Sequence, residues 1–247
     1  MGGVSQAPWT RLWVLGQVAS RDYLLQGTYT TVAYRTRGAF PEAGISIELS
    51  PAAHGGPWLQ ELSVIAEGSY GFLTSQFKDA TGAPQRVATP VVRASGDLRY
   101  RAPLAPESVF SPRLGLRLGY AFSRFMVPVG NPLFRTITHH GPRIGAEIYQ
   151  PLLPPFLALS VFGSVLPFGH PGESETLAYG SQASSSGLWV EVGFEGSLRP
   201  MGAGLTWKVL VSVLQYGDHF AGTGTEDADA SAREEQLVVV AGLGYAF

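Results

Sequence analysis

From residue 113 to residue 122 the chain changes character at every step: Leu114, Leu116, Leu118, Tyr120 and Phe122 alternate with Arg113, Gly115, Arg117, Gly119 and Ala121. Successive side chains of an extended strand point to opposite faces, so a period of two sorts these residues into an apolar face and a small or charged face. A helix cannot do this, because its faces repeat every 3.6 residues. The stretch 188–199 has the same character. It sets Leu188, Val190, Val192, Phe194 and Leu198 against Glu191, Gly193, Glu195, Ser197 and Arg199, with Trp189 at one end of the polar face.

The same reading along the whole chain gives ten strands, near 24–36, 41–50, 58–78, 86–102, 111–127, 137–150, 156–167, 187–199, 203–217 and 235–247. Clusters of Gly, Pro, Asp and Ser separate them. This predicts an all-β fold, a transmembrane up-and-down antiparallel β-barrel of about ten strands. A soluble glycine-rich β-sandwich is the competing fold. Only 15% of the residues are charged, against roughly 25% in soluble domains, so something other than water faces much of the surface. The 31 glycines and 11% aromatic residues suit tightly turning strands flanked by rings at a membrane surface.

Residues 151–169 carry no charge and invite a test as a membrane helix. Pro151, Pro154, Pro155 and Pro167 leave only 156–166 uninterrupted, and eleven residues at helical rise cover about half a bilayer. As a tilted strand the same length crosses it completely. The charge balance of 17 Lys plus Arg against 19 Asp plus Glu lacks the basic excess that nucleic acid requires. With no cysteine, disulfides, thiolate metal sites and cysteine nucleophiles are excluded. No cofactor or metal is expected.

The connections alternate in kind. Those at 50–57, 103–110, 151–155 and 200–202 are short and rich in proline, whereas 78–85, 128–136, 168–186 and 218–234 are longer and more polar. Short turns on one side and long loops on the other match the periplasmic and extracellular ends of an outer-membrane barrel, and an even strand number puts both termini in the periplasm. Residues 1–22 fit the strand scheme poorly. They are expected to be a periplasmic or interfacial segment anchored by Trp9 and Trp13, with the barrel occupying 23–247. No basic segment followed by an apolar core opens the sequence, so a processed chain is expected.

The last strand sets Leu237, Val239, Ala241, Leu243, Tyr245 and Phe247 against Gln236, Val238, Val240, Gly242, Gly244 and Ala246. Gly242, Tyr245 and the final Phe247 resemble the β-signal of bacterial outer-membrane barrels, although Val240 stands where that pattern prefers a polar residue. The resemblance implies a place in the outer membrane, contact with its lipid, and recognition of this strand by the barrel-assembly machinery.

If the apolar faces meet lipid, the opposite faces meet the lumen. They hold Glu48, Glu61, Glu67, Arg93, Asp97, Arg99, Arg101, Arg113, Arg117, Arg143, Glu147, Glu191, Glu195, Arg199 and Lys208. An Arg or Lys facing hydrocarbon at midplane costs about 2–4 kcal/mol, which supports this register. In so narrow a barrel, Arg and Glu can reach across the axis and pair, so a plugged lumen is expected. A charged constriction selecting solutes is the alternative.

Asp218 and His219 lie near one rim, as do His139 and His140. The placement resembles the omptin proteases, ten-stranded barrels with an Asp and His pair and an Asp pair across the rim. Here Asp218 and His219 are adjacent, so a strand points them to opposite faces, and no Asp-x-Asp partner is present. Barrels resembling outer-membrane phospholipases or lipid A deacylases need His and Ser spaced along one strand face. None of His54, His139, His140, His170 and His219 has a serine two residues away. Residues 223–235, with Glu226, Asp227, Asp229, Glu234 and Glu235, lack the ligand order of a calcium loop and read as a solvated loop. The expectation is therefore a non-enzymatic structural or adaptor subunit of an envelope-spanning complex, such as a motility or secretion machine. Its partners would be other envelope proteins, and a narrow porin or solute channel is the alternative.

Overall fold

The computed structural model describes residues 9–36, 38–51, 61–78, 84–128, 134–198 and 203–247. In chain order the strands are β1 (Thr10–Gly27), β2 (Thr31–Arg35), β3 (Phe40–Leu49), β4 (Leu62–Gly71), β5 (Thr74–Lys78), β6 (Pro84–Ala88), β7 (Val91–Pro103), β8 (Arg113–Phe125), β9 (Ile137–Leu153), β10 (Leu157–Pro171), β11 (Gln182–Ser197), β12 (Gly204–Ala221) and β13 (Asp229–Ala246). A short helix, α1 (Glu173–Tyr179), lies between β10 and β11.

The wall runs β13-β12-β11-β10-β9-β8-β7-β4-β3-β1, and β1 returns to pair with β13, so ten antiparallel strands close an up-and-down barrel. Closure removes the unpaired edges that a lipid environment would leave unsatisfied. β2 pairs with β1 above the point where β3 ends, and β5 with β6 forms a hairpin continuing β4 and β7. The beginning of β1 and the end of β13 share one end of the barrel with the tight turns. We refer to the opposite end, where α1 lies, as the outer end.

The expected segment over 1–22 is overturned from residue 10 onward. Thr10–Gly27 is a full wall strand, laddered to β13 from Arg11 opposite Ala246 to Gly27 opposite Ala230, and to β3 on its other side. The strand expected at 24–36 is instead the end of β1, a turn and β2. The count of ten survives because β1 takes the place of that strand. The two longest expected loops also shrink. β10 runs on to Pro171 before α1, and residues 218–234 belong largely to β12 and β13. Residues 1–8, most of 50–57, 78–85 and 128–136, His54 and Arg199 lie outside the described residues.

Outward-facing side chains draw the membrane belt. On β12 they are Leu205, Trp207, Val209, Val211 and Val213, followed toward the outer end by Gln215, Gly217 and His219. On β13 they are Leu237, Val239, Ala241, Leu243 and Tyr245, preceded by Ser231, Arg233 and Glu235. The apolar run on β13 is nine residues from 237 to 245, the length a tilted strand needs to cross hydrocarbon. β1, β9, β12 and β13 therefore continue past the belt, and the barrel projects beyond the bilayer at its outer end. Among the described residues no helix is long and apolar enough to cross a membrane. The strands do the crossing.

Candidate functional site

The inward faces meet in a packed lumen, and its first section lies within the belt. Three neighbouring strands deliver charges at every second or fourth position. β7 supplies Asp97, Arg99 and Arg101, β8 supplies Arg113 and Arg117, and β9 supplies Arg143 and Glu147. Glu147 lies between two guanidinium groups, accepting from Arg101 Nε at 2.8 Å and from Arg117 Nε at 2.7 Å. Arg99 pairs with Glu48 and Arg143 with Asp97. Arg113 meets Glu61 at 3.0 Å nearer the mouth, and Lys208 meets Glu67 at 3.4 Å. Glu195 stands 3.9 Å from Arg101, and Glu191 is held by the Ser212 hydroxyl at 3.0 Å. Arg93 pairs with Glu42, which was absent from the expected set, and its Nε donates to Gln236 at 2.9 Å.

Aromatic rings cover the other sides of these cations. Arg101 lies over Tyr149 at 4.4 Å, Arg117 over Phe162 at 4.0 Å, Arg143 over Trp189 at 4.5 Å and Lys208 over Trp13 at 4.9 Å. Small residues make the room. A methyl group at Gly119 would fall 2.2 Å from Asp97 Oδ1, and one at Gly145 would fall 2.6 Å from the Phe162 ring. Between this section and the outer end a cavity of about 40 Å³ remains, lined in part by Gln17, Glu67, Arg93, Ser123 and Glu191. That volume holds about three water molecules.

The second section lies above the belt and is where sequence reasoning fell short. Arg21 on β1 grips Glu234 on β13 with two parallel bonds of 2.6 and 2.7 Å. His139 on β9 places Nε2 2.8 Å from Asp218 Oδ2 and Nδ1 3.7 Å from Glu234 Oε2, with its ring stacked on Tyr216 at 4.2 Å. Asp218 faces the lumen and His219 faces out, as adjacent strand residues must. The partner of Asp218 is thus a histidine 79 positions away, from another strand of the wall. Glu234, expected in a solvated loop, is 1% exposed. The inward parity of Arg143 and Glu147 on β9 also assigns His139 to the lumen, and this was the available signal.

Helix α1 closes this section. Its Glu175 is fully buried, with Oε1 3.1 Å from the Tyr23 hydroxyl and Oε2 accepting from the Thr138 N–H at 3.2 Å. Burial, and then the Asp218 carboxylate, push the Glu175 carboxyl up to about 8. Tyr179 packs edge-on against Phe220 at 5.7 Å. The Ala178 carbonyl accepts from the N–H groups of Glu226 and Asp227, tying the β12–β13 loop to the helix. In that loop the N–H of Tyr29 first, then those of neighbouring residues, hold Asp227 below the ordinary carboxylate range.

A His–Asp pair becomes a general base when its second ring nitrogen can take a proton from a nucleophile. Here that nitrogen faces a carboxylate, and the ring is 1% exposed. Among the described residues no three His, Asp or Glu side chains converge in a way that could hold a metal ion.

No protein-family model and no curated protein matches the sequence. Among solved structures, the outer membrane protease OmpT from Escherichia coli superposes with a TM-score of 0.54, at 13% identity, over 96% of each chain. The fold is that of the bacterial outer-membrane β-barrels. At that identity the likeness reaches the fold and stops short of activity. The toluene transporter TodX from P. putida (TM-score 0.35, 7% identity, 96% of this chain and 90% of that one) and OprG from Pseudomonas aeruginosa (0.33, 10%, 98% and 98%) are more distant and carry no argument.

Proposed function

We propose that this chain is a non-enzymatic, non-conducting barrel of the bacterial outer membrane, serving as a structural or adaptor subunit of an envelope-spanning assembly. The observation that carries this reading is the filled lumen. Arginine, glutamate and aromatic side chains bridge the axis within the belt, and the cavity that the described residues enclose beside them is about 40 Å³. An ion pathway would have to break several buried, ring-covered salt bridges at once. The His139–Asp218 pair has no nucleophile hydrogen-bonded to it among the described residues, which favours a structural over a hydrolytic role. The barrel end that projects beyond the belt offers a polar rim for partners, and the tight turns and termini belong to the periplasmic side. Gly242 faces inward beside Lys208, while Tyr245 and Phe247 stack edge-to-face at 4.9 Å on the closing strand, where the barrel-assembly machinery would read them.

Recording the purified protein in a planar lipid bilayer tests this. No unitary current steps are expected. Reproducible steps of one size would replace the adaptor reading with that of a narrow channel, which the cavity beside Glu67 and Arg93 favours. Photo-crosslinkers at Gln85 on β6 and Tyr29 in the β1–β2 turn, used in native membranes, should give a discrete protein adduct. If neither position gives one, the adaptor role at this end is lost.

A further inference from the structure

The outer-end cluster has one carboxylate too many. Arg21 and His139 supply the two cations, while Glu234, Asp218 and Glu175 supply three acids. Arg21 is committed to Glu234, and the His139 ring is shared between Asp218 and Glu234. Asp218 Oδ1 has no hydrogen-bond partner among the described residues. Glu175 therefore enters the cluster with no cation of its own. An isolated buried carboxylate is far costlier than a neutral one, so the docked helix requires a proton on Glu175.

We propose that α1 is a proton-latched lid on the outer end of the lumen, docked while Glu175 is neutral and released when Glu175 ionises. The carboxyl makes two contacts in the docked helix: Oε2 accepts from the Thr138 N–H and Oε1 accepts from the Tyr23 hydroxyl. Every element around the lid contributes a charged or titratable group. β1 presents Tyr23 and Arg21, β9 presents His139, β12 presents Asp218 and Tyr216, and β13 presents Glu234. α1 adds Tyr179, and the Arg135–Glu226 pair stands at its edge. Of these, His139 is the cation that most favours ionised Glu175, and Asp218 already claims it. Ionisation would set a second buried carboxylate against Asp218, with only the neutral donors Thr138 N–H and Tyr23 O–H directly on Glu175 among the described residues, and the helix bearing it is only seven residues long. Release would uncover Tyr23, His139 and Asp218 without opening the belt section below, so the lid changes what the outer end presents and leaves conduction unaffected. The inference stands on this cluster and does not depend on the adaptor reading.

The chain has no cysteine, so single cysteines report cleanly. Ala178→Cys places a thiol on the buried side of α1, and Leu177→Cys, at a position 63% exposed on the same helix, corrects for the chemistry of the thiol itself. The ratio of their labelling rates by a maleimide should rise about tenfold between about pH 6 and about pH 9 and stay flat when Glu175→Gln is also present. Amide hydrogen exchange of residues 173–179 in the cysteine-free protein, corrected for intrinsic rates, should give the same contrast. A flat ratio in both backgrounds, or an equal rise in the Gln background, would overturn the proposal.

Discussion

Within the belt and above it, the lumen solves one problem in two ways. Inside the belt, Arg11, Arg99, Arg101, Arg113, Arg117, Arg143 and Lys208 face Glu48, Glu61, Glu67, Asp97, Glu147, Glu191 and Glu195, and the charges balance. Above it, Arg21 and His139 face Asp218, Glu234 and Glu175, and balance needs a proton. Arginine holds its charge at any physiological pH, so the arginine–carboxylate pairs of the belt section persist over that range. The outer section rests on a histidine and a glutamate, which makes it responsive. The part that must keep the barrel closed against lipid is built from fixed charges, and the part outside the bilayer from titratable ones.

The sharpest way to break the comparison is at its most concentrated point. Glu147→Gln leaves Arg101 and Arg117 buried without their shared acid, and should lower stability against urea in detergent by about 3–5 kcal/mol. Arg21→Met should cost less, about 2–3 kcal/mol in the same assay, because His139 remains within 3.7 Å of the orphaned Glu234. The pH response comes next. The proton on Glu175 is kept to a higher pH in the folded chain than in the unfolded one. Its stabilising contribution is complete below about 4.5 and lost as pH rises through about 8. The urea midpoint should thus fall from about pH 6 to about pH 9, and Glu175→Gln should make that fall smaller, leaving the part due to His139. Arg113→Gln, at the half-exposed mouth pair with Glu61, should cost under about 1 kcal/mol. The exposed Arg233–Glu235 pair outside the wall should be silent when Arg233 is replaced by alanine.

The belt strands were legible because lipid on one side and ionic side chains on the other force the greatest contrast between alternate positions. β8 and β11 show this best. β1 hid because its inward face carries Trp13, Leu15, Ala19 and Leu25 beside Gln17 and Arg21, so both faces are largely apolar and the period of two is erased. Where β13 passes the cavity, Val238 and Val240 fill the lumen in place of charges. The parity of each strand placed the belt charges on the lumen side, but which acid meets which base depends on stagger around the wall, which one sequence does not specify. Asp218 with His139 and Arg21 with Glu234, 213 positions apart, are cases of this. Helix α1 was read as loop because seven residues are too few to establish a 3.6-residue repeat.

The ladder between the first and last strands has a consequence for biosynthesis. Arg11 waits for Ala246 and Gly27 for Ala230, so the contacts that seal the cylinder join the first and last strands of the wall. Until β13 has paired with β1, the wall is a sheet with two bare margins and the cylinder stays unsealed. Sealing the wall is therefore the step that removes its last bare edges, and whatever accompanies the unsealed chain has to shield both margins until they meet.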